Sequence, residues 1–113
     1  MVNIEFLYFE NCPGHEVTWR LLNEVINESG LQIEVKEIEL KSPDEVETHR
    51  FLGSPSIRIN EEDLEGEVYE REVGYGWRCR FYEDSEPGEV KAVPGRDLIR
   101  RKLAMASGEV STL

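Results

Sequence analysis

Residues 8–19, YFENCPGHEVTW, mark the point where the chain stops reading as a strand and starts reading as a helix. Before them, Val2 to Phe9 is a strand, and the run Phe6-Leu7-Tyr8-Phe9 is apolar on both parities, as in a central strand covered on two faces. After them, Val17, Leu21, Leu22, Val25 and Ile26 hold the spacing of one buried helical stripe, which predicts a helix over 13–29. Pro13 suits the first turn of that helix and Gly30 the position just past its end. At the junction stand Cys12 and His15. The chain holds two cysteines and two histidines in all, so one of each falls within four residues.

The same periodicities organise the rest of the chain. Residues 31–40, LQIEVKEIEL, alternate and then change parity at Ile38, which reads as a second strand with a bulge or an early end. In SPDE, 42–45, Ser42 is an N-cap, Pro43 a first helical residue and Glu45 the partner in a capping box, so a helix is expected from there to about Leu52 with Gly53 as its stop. SIRIN, 56–60, is a third strand, and EEDLE, 61–65, is a turn and the start of a returning strand. Gly66, Gly74 and Gly76 interrupt any pattern over 66–77. RCRFY, 78–82, alternates, with Cys79 and Phe81 assigned to the core side. Residues 83–95 read as loop, and 96–106 as a closing helix with Leu98, Ile99, Leu103 and Ala106 inward. The order β-α-β-α-β-β-(β)-α, with a right-handed crossover between strands 1 and 2, predicts an α/β fold: a central mixed sheet of four or five strands with helices on both faces.

Bulk properties narrow the function. At 113 residues, the chain suits one domain, 1–113, with 66–94 as an elaborated region. The net charge is −11, with 20 Glu and 4 Asp against 9 Arg and 4 Lys. Nucleic-acid binding needs a basic face and anionic membranes repel an acidic one, so neither partner is expected. Two cysteines are too few for a disulfide framework, no signal peptide is visible, and no apolar run reaches the ~20 residues of a membrane helix, which together place the chain in a reducing cytoplasm.

CPGH at the end of the first strand and GSPSIRI at the start of the third, in this element order, resemble the thioredoxin-like superfamily. Within it, FLGSPSIRIN followed by CRFY is similar to a group of small proteins filed near organomercurial lyases. The resemblance covers about 2–60 and 95–106. It implies a thioredoxin-like fold, a reactive thiol at Cys12, and a cis peptide before Pro55 that turns the Ser54 backbone towards Cys12 to pair with an extended substrate. The second cysteine of the family's Cys-x-x-Cys motif is missing here, and His15 stands in its place.

Chemistry at these positions follows from pKa. A thiol at a helix start gains from free N–H groups and the helix dipole, so Cys12 is expected to have a lowered pKa and to be the reactive thiol. Its competing role is packing. His15, in the same first turn, stabilises a thiolate as a cation or remains a solvated side chain. Cys79 is either a core residue or, if EEDLE returns the chain to the Cys12 end of the sheet, a resolving thiol or a second soft-metal ligand. His49 reads as a surface residue. No metal ligand set is complete and no cofactor is called for. Three functions stay open: a thiol-dependent redox protein that exchanges with a disulfide protein or a small-molecule thiol, a soft-metal or organomercurial handling protein, and a non-catalytic binding module. The sequence does not read out an oligomeric state.

Overall fold

The computed structural model describes residues 1–108; the five remaining positions of the single-domain reading, 109–113, lie outside the described residues. Strands β1 (Val2–Tyr8), β2 (Ile33–Glu39), β3 (Ser56–Ile59) and β4 (Glu62–Asp63) form one mixed sheet in the order β2-β1-β3-β4. Its helices are α1 (His15–Ser29), α2 (Gly66–Val73) and α3 (Arg96–Ser107). β1 is interior, parallel to β2 and antiparallel to β3, and β4 returns antiparallel along β3. The Ser54–Pro55 peptide is cis. No helix among the described residues is long and apolar enough to cross a membrane.

Two cores lie on opposite faces of β1, because successive strand side chains point to opposite faces. Val2, Ile4 and Phe6 pack with Leu21, Leu22 and Val25 of α1 and Leu98, Ile99 and Leu103 of α3. On the other face Leu7 joins Phe9, Cys12, Leu40, Val46 and Phe51. The parity change in β2 is the trace of this second core. Its ladder with β1 runs in unbroken register from Ile33 to Glu39, so there is no bulge. Ile38 pairs with Leu7 and packs on that second core, whereas Ile33 and Val35 pack on the first.

Three sequence expectations shift. The first helix begins at His15 rather than Pro13, because Gly14 takes a left-handed conformation at φ 88° as its N-cap. The segment from Ser42 to Leu52 forms only a 3-10 turn, Pro43–Glu45, followed by irregular turns. The Glu45 carboxylate does reach back to the Ser42 N–H at 3.2 Å. Beyond it, however, Val46, Phe51 and Leu52 are buried at a spacing that a helix does not repeat, and Arg50 breaks the backbone with φ 51°. Conversely, 66–73 is helical despite its glycine start, with Gly66 at φ 87° making the turn into α2.

Candidate functional site

The fold gathers Cys12, Ser54 and Cys79 at one end of the sheet. Ser54, fully buried just before β3, is the hub. Its N–H donates to the Arg78 carbonyl and its own carbonyl accepts the Arg80 N–H, each at 2.9 Å, so Ser54 and Cys79 are parallel bridge partners. Cys12 Sγ lies 3.0 Å from the same Ser54 carbonyl and 3.1 Å from that of Pro13. The Ser54 hydroxyl accepts the Phe9 N–H at 3.2 Å. Ser54 therefore does not present a free backbone to a substrate, as the resemblance implied. Residues 78–80 of the same chain occupy that edge, with Cys79 opposite Ser54.

The thiols have opposite environments. Cys12 is 4% exposed. Burial pushes its pKa up from 9.0 to about 11, because a thiolate loses its hydration there. The Ser54 hydroxyl and the His15 backbone N–H pull the value down, Cys79 adds a small upward push, and burial wins. The expected lowering by a helix start is thus reversed: α1 begins three residues after Cys12, and Phe9, Phe51 and Leu7 surround the sulfur with apolar atoms. Cys79 is exposed, contrary to its assignment to the core. The alternation in 78–82 is real but its phase is inverted, with Arg80 and Tyr82 buried and Cys79 and Phe81 outside.

His15 contributes its backbone rather than its ring. The imidazole stacks on Tyr8, with centroids 4.7 Å apart and planes at 14°, and its Nε2 lies 3.1 Å from the Glu10 carbonyl oxygen. Pro55 lends its carbonyl to the Tyr82 hydroxyl, at 2.7 Å.

The phase inversion has a physical cause that no local pattern carries. The Arg80 guanidinium, 0% exposed, makes a two-pronged ion pair with Asp63 at 2.7 and 2.6 Å. It adds bonds to Ser56 Oγ at 2.9 Å and Glu65 at 3.0 Å, and lies between the rings of Tyr69 and Tyr82, 4.2 and 4.5 Å from their centroids. A planar guanidinium fits this slot and an ammonium would not. Arg80 and Tyr82 fix the strip that carries Cys79. Two further features hold it from the other side. Trp77 stacks on Phe9 with centroids 4.5 Å apart, and Arg78 donates to the carbonyls of Leu52 and Gly74 at 3.2 and 2.9 Å. The glycine and aromatic run 74–77 accordingly pins a loop. The only signal in the sequence for this network was the acidic pair Asp63 and Glu65 close to an arginine in an alternating segment.

Gly53 makes the close approach possible. Its φ is 124°, and a Cβ there would meet the Arg80 Cβ at 2.9 Å and the Arg78 carbonyl oxygen at 3.3 Å. Gly53→Ala is expected to destabilise the fold by about 1–3 kcal/mol through backbone strain and the clash. Urea denaturation monitored by fluorescence measures it, and a loss below ~0.5 kcal/mol would show that the strip tolerates being moved outward.

Searches of family models, curated proteins and solved structures found no match to this chain.

Proposed function

We propose that this protein is a thiol–disulfide exchange protein on a thioredoxin-like scaffold, working through a Cys12–Cys79 dithiol in which Cys79 is the attacking thiol and Cys12 the resolving one. The observation that carries this reading is the shared hub: Cys79 is the bridge partner of Ser54, and Cys12 Sγ rests on the Ser54 carbonyl. The roles follow from exposure. An incoming disulfide meets exposed Cys79 first, because buried Cys12 holds its proton and has no free approach. Once Cys79 is in a mixed disulfide, Cys12 is the thiol beside it and displaces the partner.

The scaffold assignment is supported by the interior β1, the parallel β1–β2 pair joined through α1, and a cysteine between β1 and α1 facing the residue that leads into β3.

Oxidation of the reduced protein with glutathione disulfide tests the reading. The expected product is a monomer with one internal Cys12–Cys79 disulfide, identified by peptide mapping, with a definable midpoint potential. Cys12→Ser should stop at a stable mixed disulfide with glutathione on Cys79. Cross-linked dimers alone in the wild type, or glutathione found on Cys12, would remove the proposed dithiol.

A further inference from the structure

We propose that the outer edge of residues 77–81 is a docking strand for an extended, cationic polypeptide segment whose disulfide is brought into register with Cys79. The proposal rests on the dithiol reading and adds to it the class of partner.

Backbone accounting makes the first argument. In extended chain, alternate residues turn their N–H and C=O groups to opposite sides. The Arg78 carbonyl and the Arg80 N–H pair with Ser54, and the Tyr82 N–H donates to the Lys91 carbonyl at 2.9 Å. The N–H and C=O groups of Cys79 and Phe81 point the other way, and among the described residues no group of this chain pairs with them. An edge with free donors and acceptors in strand register is a template for one more strand.

Side chains make the second argument. Phe81 is 62% exposed and stands two positions from exposed Cys79 on the solvent side, while the ring of Trp77, two positions before Cys79, is stacked on Phe9 and holds the strip in place. Cross-strand neighbours on such a face lie close enough to pair directly. A cysteine of an added strand placed opposite Cys79 is therefore within reach of it.

Charge selects the occupant. The chain carries 24 acidic against 13 basic residues. Exposed Glu10 and Glu83 lie close in the chain to the two thiols, Asp84 already faces Arg101 at 3.9 Å, and Arg78 is turned inward onto the Leu52 and Gly74 carbonyls. A second copy of this chain brings the same negative charge to the edge, whereas a segment rich in Lys or Arg is attracted to it.

The exchange balances as follows. The Cys79 thiolate attacks one sulfur of the partner's disulfide, forming a Cys79–partner S–S bond and releasing the partner's other sulfur as a thiolate. Cys12 then attacks the Cys79 sulfur, forming the Cys12–Cys79 bond. Its proton passes to the departing partner thiolate. The partner gains two electrons, and a dithiol or two equivalents of a small-molecule thiol restore the protein.

Docking and chemistry are tested separately. For docking, the full chain as a nitrogen-15-labelled Cys79→Ser variant is titrated with a thiol-free peptide of alternating Val and Arg. The expected result is amide shifts and slowed hydrogen exchange at the substituted position and at Phe81, absent for the peptide N-methylated on alternate backbone nitrogens and for its Val/Glu counterpart. For chemistry, release of thionitrobenzoate from a Val/Arg peptide carrying one central cysteine in that mixed disulfide is compared with release from hydroxyethyl thionitrobenzoate disulfide. Wild type should prefer the peptide by about tenfold, as two added backbone hydrogen bonds allow, and the alternately N-methylated version of the same peptide should lose that preference and react no faster than the small disulfide. Equal rates on both substrates with no amide shifts overturn the docking strand and leave the dithiol standing. Failure of Cys79 to react with the small disulfide overturns the dithiol, while the titration still decides the edge. Stronger binding of the Val/Glu peptide, or a dimer by sedimentation that Phe81→Ala dissolves, overturns the cationic partner.

Discussion

Arg80→Ala is expected to lower the unfolding free energy by about 3–5 kcal/mol, because it leaves a buried carboxylate without its counter-charge. Against a total stability of roughly 5–15 kcal/mol for a domain of this size, that is a large fraction. Asp63 is 1% exposed, and its two oxygens each meet a guanidinium nitrogen. Removing the guanidinium also empties the space between Tyr69 and Tyr82 and takes away the donor to the Ser56 hydroxyl, which keeps its own bond to the Gly53 carbonyl. The paired replacement Arg80→Met with Asp63→Leu should recover most of the loss, since no uncompensated charge is then left inside. Urea denaturation of the three proteins provides the comparison. A single-variant loss under ~1 kcal/mol would show that water reaches Asp63 and that the pair is not a buried anchor. The same substitution should weaken the internal disulfide relative to the mixed disulfide with glutathione, as the strip that holds Cys79 against Ser54 loses its tether.

Cys79 is expected to react with iodoacetamide at least ~100-fold faster than Cys12 in the native protein at pH 7.5. Exposure sets the order, and the Cys12 pKa of about 11 reinforces it, leaving a thiolate fraction on the order of 10⁻³ at pH 8. Mass mapping after timed alkylation reads both sites, and Cys12 labelling first would reverse the proposed roles. The same pKa has a consequence for stability. In the native state Cys12 holds its proton to about pH 11, whereas in the unfolded chain it loses it near 9.0. Between these values the native state binds more protons than the unfolded one, so stability falls as pH rises. The contribution is fully present below pH 9 and lost through about pH 11, on the order of 2–3 kcal/mol. Cys12→Ser should flatten the stability profile over that window. Tyr8, raised from 10.0 to about 12 by burial and by Glu37, loses its own contribution between those values, which overlaps the upper part of this window, but it is common to both proteins and cancels in the comparison.

Much of the architecture is written locally. The apolar run of β1, the stripe of α1, the Leu98-Ile99-Leu103 face of α3 and the turn at 60–61 are short-range patterns, and burial needs only those faces to find one another. The sequence by itself therefore determined the β-α-β start, the interior place of the first strand and the junction that carries Cys12. Its limits were set wherever a long-range contact outweighs a local period. The segment 43–50 has a helix's cap signals but no continuous apolar stripe, so packing of Val46 and Phe51 on Leu7 and Phe9 settled its form. RCRFY alternates equally well in either phase. A rule that puts Cys and Phe inside and Arg outside chooses the wrong one, because the desolvation of an arginine is offset only by partners 15 and 17 residues away, at Glu65 and Asp63. That one ion pair turned Cys79 out to solvent and set it beside Ser54. The tertiary structure also decided the Cys12 pKa: the His15 amide at the helix start and the Ser54 hydroxyl do lower it, but burial among the aromatic side chains of the second core outweighs them.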